Sequence, residues 1–164
     1  MILVPLLLSL ALPALAAAPA PAAVSAPACK PQIAAKKTAL TFANGKKITV
    51  DVVDTPATRE IGLMCVTKMP KNYGMLFAFS QEMALNFWMK NTLVPLDILW
   101  IGADKKITVI HERMKASRVD TPEDQIATAG GRGQYVLELA AGEAKRRGLK
   151  AGDQLKFETT IPEK

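Results

Sequence analysis

What this sequence has little of narrows its chemistry before any motif is considered. It holds one histidine, His111, and two cysteines, Cys29 and Cys65. A single imidazole supplies no histidine pair for a metal, and there is no Gly-x-Ser-x-Gly turn to accompany it in a serine triad. A Cys65–His111 nucleophile pair would compete with a Cys29–Cys65 disulfide for the same sulfur, and a lone histidine beside Glu112 at a strand end reads as solvated. Aromatic residues make up only 5% of the chain, and no recognised nucleic-acid motif is present. The net charge of +6 therefore points to anionic small molecules, lipid head groups or wall polymers, not to nucleic acid. No apolar run reaches the roughly 20 residues that cross a bilayer. No catalytic set, metal set or cofactor motif emerges.

What is present first is an uncharged opening. Ile2 to Leu15 carries no charged side chain and is broken by Pro5, Ser9 and Pro13. Its length is that of a secretory apolar region, and Ala14-Leu15-Ala16 supplies the small-x-small pattern of a cleavage site. No Lys or Arg precedes it, so the initiator amine serves alone or the true start lies further upstream. A buried helix is disfavoured, because two internal prolines each cost about 3 kcal/mol. The expectation is a signal peptide over 1–16, cleaved near Ala16, an Ala/Pro-rich tether over 17–35, and one domain over 36–164. The mature protein is then periplasmic or secreted, with no transmembrane segment. In an oxidising compartment Cys29 and Cys65 favour a bridge over two free thiols. Its loop spans 36 positions (65 minus 29) and has an idealised gain of about 4 kcal/mol. Ala26-Pro27-Ala28 makes a poor lipobox for anchoring Cys29.

The rest of the chain punctuates itself with turns. Thr38–Phe42 and Ile48–Val53 flank Asn44-Gly45, a strong hairpin signal. Thr55 caps a short helix with Pro56 in its first turn and Gly62 at its end. Met75–Phe79, Leu85–Met89, Leu96–Ile101, Ile107–Ile110, Tyr135–Leu139 and Gln154–Thr159 read as strands. A second short helix runs from Ala141 to Arg147, where Lys145, Arg146 and Arg147 suit the negative end of the dipole. Residues 112–133 read as a long polar loop, with Gly130-Gly131-Arg132-Gly133 as a flexible turn. The expected fold is mainly β (α+β), an antiparallel-leaning barrel or sandwich of about seven strands with two short helices.

Several blocks occur in one order: Gly62-Leu63-Met64, Gly74-Met75-Leu76-Phe77, Phe87-Trp88-Met89-Lys90-Asn91-Thr92, Pro95-Leu96-Asp97, Val136-Leu137-Glu138-Leu139 and Gly148-Leu149-Lys150-Ala151-Gly152-Asp153. Together they resemble the domain of unknown function 192 family, over roughly Ile48 to Phe157. The resemblance implies a compact β-rich fold, often behind a signal peptide in bacteria. It carries no established reaction, cofactor or partner, so no catalytic residue transfers. Cys65 stands where relatives tend to have a bulky residue, and His111 to Gly133 follows the family least.

From the residues themselves, the candidate ligand site is Trp88, Lys90, Asn91, Thr92 and Asp97. Strand alternation turns Trp88 away from Phe87 and Met89. Lys90, Asn91 and Thr92 then offer an ammonium, an amide and a hydroxyl at a strand end, with Asp97 facing Lys90 across the turn. The plainer alternative is an Asn-Thr turn that satisfies its own backbone, with an ordinary ion pair. Met64, Met69, Met75, Met83, Met89 and Met114 suggest a Cu(I) site but lack regular spacing, and Met commonly fills cores. Nothing in the spacing of Asp97, Glu112, Asp120, Glu123, Asp124 and Glu138 selects a catalytic pair, and Glu138 reads as solvent-facing between Leu137 and Leu139. The expected role is a non-enzymatic binding or accessory module for a small polar or anionic ligand. A small hydrolase of anionic wall or lipid-derived substrates is the first alternative, and a Cu(I)-handling protein the second.

Overall fold

Leu96–Ile101 and Tyr135–Leu139 are apolar at nearly every position, and a strand of that kind needs cover on both faces. In the computed structural model of the chain, which describes residues 29–160, these segments become β4 (Leu96–Ile101) and the second half of β6 (Thr128–Ala140). They sit inside a six-stranded mixed sheet with β1 (Lys36–Thr41), β2 (Lys47–Val53), β3 (Tyr73–Trp88) and β5 (Ile107–Met114), in the order β1-β2-β3-β6-β4-β5. Two short helices, α1 (Pro56–Ile61) and α2 (Glu143–Arg147), complete a mainly β protein. The expected signal peptide over 1–16, and the tether as far as residue 28, lie outside the described residues. Among the described residues, no helix is long and apolar enough to cross a membrane.

All neighbouring strands pair antiparallel except β2 and β3, which run parallel because α1 and the loop after it carry the chain back to the same end. The sheet does not close into a barrel. Gln154–Thr159, expected as a strand, instead bridges the two edges at one end. Gly152 N donates to Ile107 O at 2.8 Å and Leu155 N to Lys105 O at 2.9 Å, whereas Lys156 N donates to Thr41 O at 2.9 Å. The segment changes partner from the β5 edge to the β1 edge within a few residues, too short a run for a ladder with either.

Two expected strands, Met75–Phe79 and Leu85–Met89, are one. Between Ala78 and Met83 β3 advances five positions while its partner β6 moves two, from Tyr135 to Gly133. This bulge bends the strand. Gln134 Nε2 donates to Phe79 O at 3.3 Å, and Glu82 Oε2 accepts from Ala103 N at 3.0 Å, fixing the bulge on both sides. The polar stretch 112–133 is likewise more ordered than its composition indicates. It contributes the end of β5, a 3-10 turn at Glu123–Gln125 and the start of β6. Gly131 is strand and not flexible turn because the Trp100 ring lies against it: a Cβ there would meet Trp100 Cγ at 2.6 Å and Val109 Cγ1 at 2.7 Å.

The sheet has an apolar cluster on each face. On one, Leu76, Leu99, Leu137 and Leu139 pack with Leu40, Val50, Ala144 and Phe157. On the other, Met75, Phe77, Ile98, Trp100 and Val136 pack beneath Leu63 and Met89, with Phe87 against them. Asp97 is fully buried on the first face. Its Oδ1 accepts from Arg113 N at 2.9 Å and Gly142 N at 3.0 Å, and its Oδ2 from Ala144 N at 2.8 Å, so this carboxylate ties β5 and the start of α2 to β4. It does not face Lys90 as the sequence suggested; odd positions of β4 point away from Lys90's side of the sheet. Replacing Asp97 with Ala leaves three amide donors without their acceptor and is expected to lower stability by about 2–4 kcal/mol, read as a fall in urea midpoint at unchanged slope. A loss below about 0.5 kcal/mol would contradict this role.

Candidate functional site

The site lies on the second face, where α1 and the turn after β3 cover the middle of the sheet. Even positions in the second half of β6 point there, so Glu138 lies beside Met75 of β3 and Ile98 of β4. It is 5% exposed, and its Oε2 is enclosed without a hydrogen-bond partner. Among the described residues the other enclosed side-chain oxygen lacking such a bond is Asp51 Oδ1, which has the Lys37 ammonium at 3.3 Å. Burial disfavours the Glu138 carboxylate and pushes its pKa up to about 8. At neutral pH this side chain is a carboxylic acid, able to donate one hydrogen bond. The expectation that Glu138 faces solvent is thus overturned: Val136, on the same face, is itself buried, so this face of β6 is not a wet one.

Glu138 lines a cavity of about 30 Å³ together with Arg59, Phe77, Phe87, Trp88, Lys90 and Thr92. That is room for roughly one or two water-sized groups. Arg59, Glu60, Phe87 and Trp88 also line an adjoining open groove of about 360 Å³ that includes Phe79. The bulge in β3 makes this possible. By folding the strand back it sets the Phe87 ring edge-on to Phe77 at 4.8 Å and to Trp100 at 5.7 Å. Trp88, next along the strand, is 47% exposed.

The cations are positioned by aromatic faces. Arg59 lies 4.7 Å from the Phe79 centroid and donates through Nη1 to Asp54 O at 2.6 Å and Ala78 O at 3.0 Å. Its pKa is lowered by burial, with Asp54 opposing. Lys90 lies 4.8 Å from the Trp88 centroid and pairs with the exposed Glu123 at 3.2 Å. On the same face Tyr73 donates to Asp51 at 2.9 Å; burial and that bond push its pKa up.

Of the five residues singled out from sequence, Trp88, Lys90 and Thr92 meet at the cavity. Thr92 also serves its own turn, donating to Lys90 O at 3.2 Å. Asn91 adopts a left-handed conformation (φ 52°), and its carbonyl accepts from Cys65 N at 2.9 Å, so it shapes the turn. Asp97 is on the opposite face. Cys65 is bonded to Cys29, with Cα atoms 5.5 Å apart, and Gln32 donates to Thr58 O and Gly62 O; residues 29–32 are thereby fastened along α1. His111 stacks edge-on to Trp100 at 5.2 Å, and its Nε2 is 3.0 Å from Gly130 O. Met69, Met75, Met89 and Met114 pack within the second cluster. Arg59, Phe87 and Glu138 were missed as site residues. The available signal for Glu138 was Val136, an apolar residue of the same parity.

These features define a small β-sheet domain with a sealed acid beneath an aromatic, cation-rimmed groove. The chain belongs to the domain of unknown function 192 family (uncharacterized ACR), whose model matches residues 39–157. Two solved structures are similar. One, from Sinorhizobium meliloti 1021 and provisionally described as a transcription regulator, is 37% identical, with a TM-score of 0.65 over 77% of this chain and 97% of that one. The other, a protein of unknown function from Novosphingobium aromaticivorans DSM 12444, is 28% identical, with a TM-score of 0.60 over 85% of this chain and 99% of that one. No curated protein matches.

A carboxyl whose pKa rises on folding takes up a proton between its unfolded and folded values, so its contribution to stability falls as pH rises through that window. Between the ordinary value of 4.5 and about 8, this group should reduce unfolding free energy by roughly 1.4 kcal/mol per pH unit. Glu138→Gln should remove that slope and be the more stable form above the window. Parallel stability curves for the two proteins would show that Glu138 is not held as an acid.

Proposed function

We propose that this chain is an exported, non-enzymatic binding module for a small polar or anionic ligand, seated against Trp88 and Lys90 and reaching Glu138. The observation that carries the reading is the enclosed Glu138 Oε2, an unpartnered polar atom at a cavity that opens beside a half-exposed tryptophan. Desolvating a polar group without a partner costs about 1–3 kcal/mol, and a ligand group that bonds to it recovers that loss. Export is supported by the apolar opening Ile2–Leu15 and by the Cys29–Cys65 bond, a linkage at home in oxidising compartments.

A small hydrolase has one observation in its favour, since a carboxylic acid at neutral pH is what a general acid requires. The second carboxylate at the cavity is Glu60, on the exposed side of α1; Asp51 is engaged by Tyr73 and Lys37, and Asp97 by three backbone amides. Met69, Met75, Met89 and Met114 pack as apolar filler and Met83 is exposed, which gives the Cu(I) alternative nothing further.

The test is a fragment screen on the purified protein, read by indole NMR shifts and by melting temperature. Binders should perturb the Trp88 indole, and Trp88→Ala should weaken them about tenfold or more while costing about 2 kcal/mol of stability or less, as suits a half-buried side chain. A screen without binders, or binders indifferent to Trp88→Ala, would remove the reading.

A further inference from the structure

The hollow beside Lys71, Tyr73 and Arg146 is larger, about 480 Å³, but Arg146 is already paired with Glu143 and Tyr73 with Asp51. The Glu138 cavity differs in holding a polar group that the protein leaves unmatched. Resting on the binding reading above, we propose that its ligand is a small organic anion. A carbonyl or carboxylate oxygen of that anion accepts a hydrogen bond from the Glu138 carboxylic acid, and its negative charge lies between Arg59 and Lys90.

Three features lead there. First, size: the inner cavity of about 30 Å³ admits a single oxygen-bearing group, and the groove of about 360 Å³ takes the body that carries it. Phe87 and the open half of Trp88 give that body an apolar wall. Second, charge at the mouth. Arg59 is anchored through one nitrogen, Nη1. Among the described residues the Lys90 ammonium is paired only with Glu123, whose side chain is 83% exposed. A pair of that kind contributes little and exchanges readily, so an incoming anion can displace it. Third, what surrounds the acid. The charged or titratable groups around it are Arg59 and Glu60 from α1 and Lys90 from the turn after β3, with Asp51 from β2 and Tyr73 from β3 further along the face. Met75 and Ile98 flank it on the neighbouring strands. Arg59 and Lys90 together outweigh Glu60 at this mouth and oppose a cationic ligand, and a neutral sugar would leave both cations unused.

The proposal is tested with benzoate, benzamide and benzylamine, three probes of matched size, each extended to ring-substituted analogues. Their binding is measured on wild type, Glu138→Gln and Glu138→Leu at about pH 6 and about pH 9, on either side of Glu138's titration near 8. Carboxylates should bind preferentially and weaken about tenfold at the higher pH, where an ionised Glu138 repels them. Glu138→Gln, whose amide still donates, should keep binding within about threefold and lose the pH dependence; Glu138→Leu should weaken it about tenfold or more. Preference for amines or amides, affinity that rises with pH, or loss of binding in Glu138→Gln would each overturn the inference and leave the binding reading standing. If no probe of any class binds, the binding reading fails and takes the inference with it.

Discussion

The structure depends on the second half of β6 being flanked by strands on both sides and covered on both faces. Register with β3 and β4 places Leu137 and Leu139 in one apolar cluster and Val136 in the other, all of them below 1% exposed. Alternation then turns Glu138 inward on the second face, where it is 5% exposed. A residue flanked by Met75 and Ile98 on neighbouring strands is enclosed because its strand is enclosed, and a carboxyl there answers by keeping its proton. The shape of the site and its chemistry follow from the same burial.

Over this acid the fold builds a partial roof from three otherwise independent devices. The bulge in β3 folds a sixteen-residue strand back so that Phe87 meets Phe77. The turn Met89–Thr92 is fixed by Cys65 N on Asn91 O and by Ser117 N on Thr92 O, both at 2.9 Å, which sets where Lys90 emerges. Helix α1 is held by the Thr55–Thr58 capping box and by Gln32, and it delivers Arg59 from the other side. Cys65 links two of these, because it carries the disulfide and also donates to the Lys90 turn. None of these contacts fills the space over Glu138, and a cavity remains there.

Much of the fold was legible in local signals. Asn44-Gly45 and the Thr55-Pro56 helix start are specified by residues within a turn of one another, and each appears where those residues place it. What was not legible depended on partners distant in sequence. Gly131 reads as flexible until the Trp100 ring is seen against it. Residues 80–84 read as a break between strands, whereas Gln134 and Ala103 help hold a bulge within one strand. The site divides in the same way. Trp88, Lys90 and Thr92 are neighbours in the chain and were found together. Asp97, close in sequence, went to the opposite face, and Glu138, distant in sequence, came to this one. Alternation in Leu-Glu-Leu suggests a wet face only where one face of the strand is solvated.

The chemistry of the site turns on the protonation state of one side chain, and that can be observed without a ligand. The carboxyl carbon of Glu138, assigned by comparison with Glu138→Gln and followed by NMR through a pH titration of the folded protein, should titrate near 8. A midpoint in the ordinary glutamate range, near about 4.3, would mean that water or a cation reaches this carboxylate, and the sealed acid at the centre of the site would have to be given up.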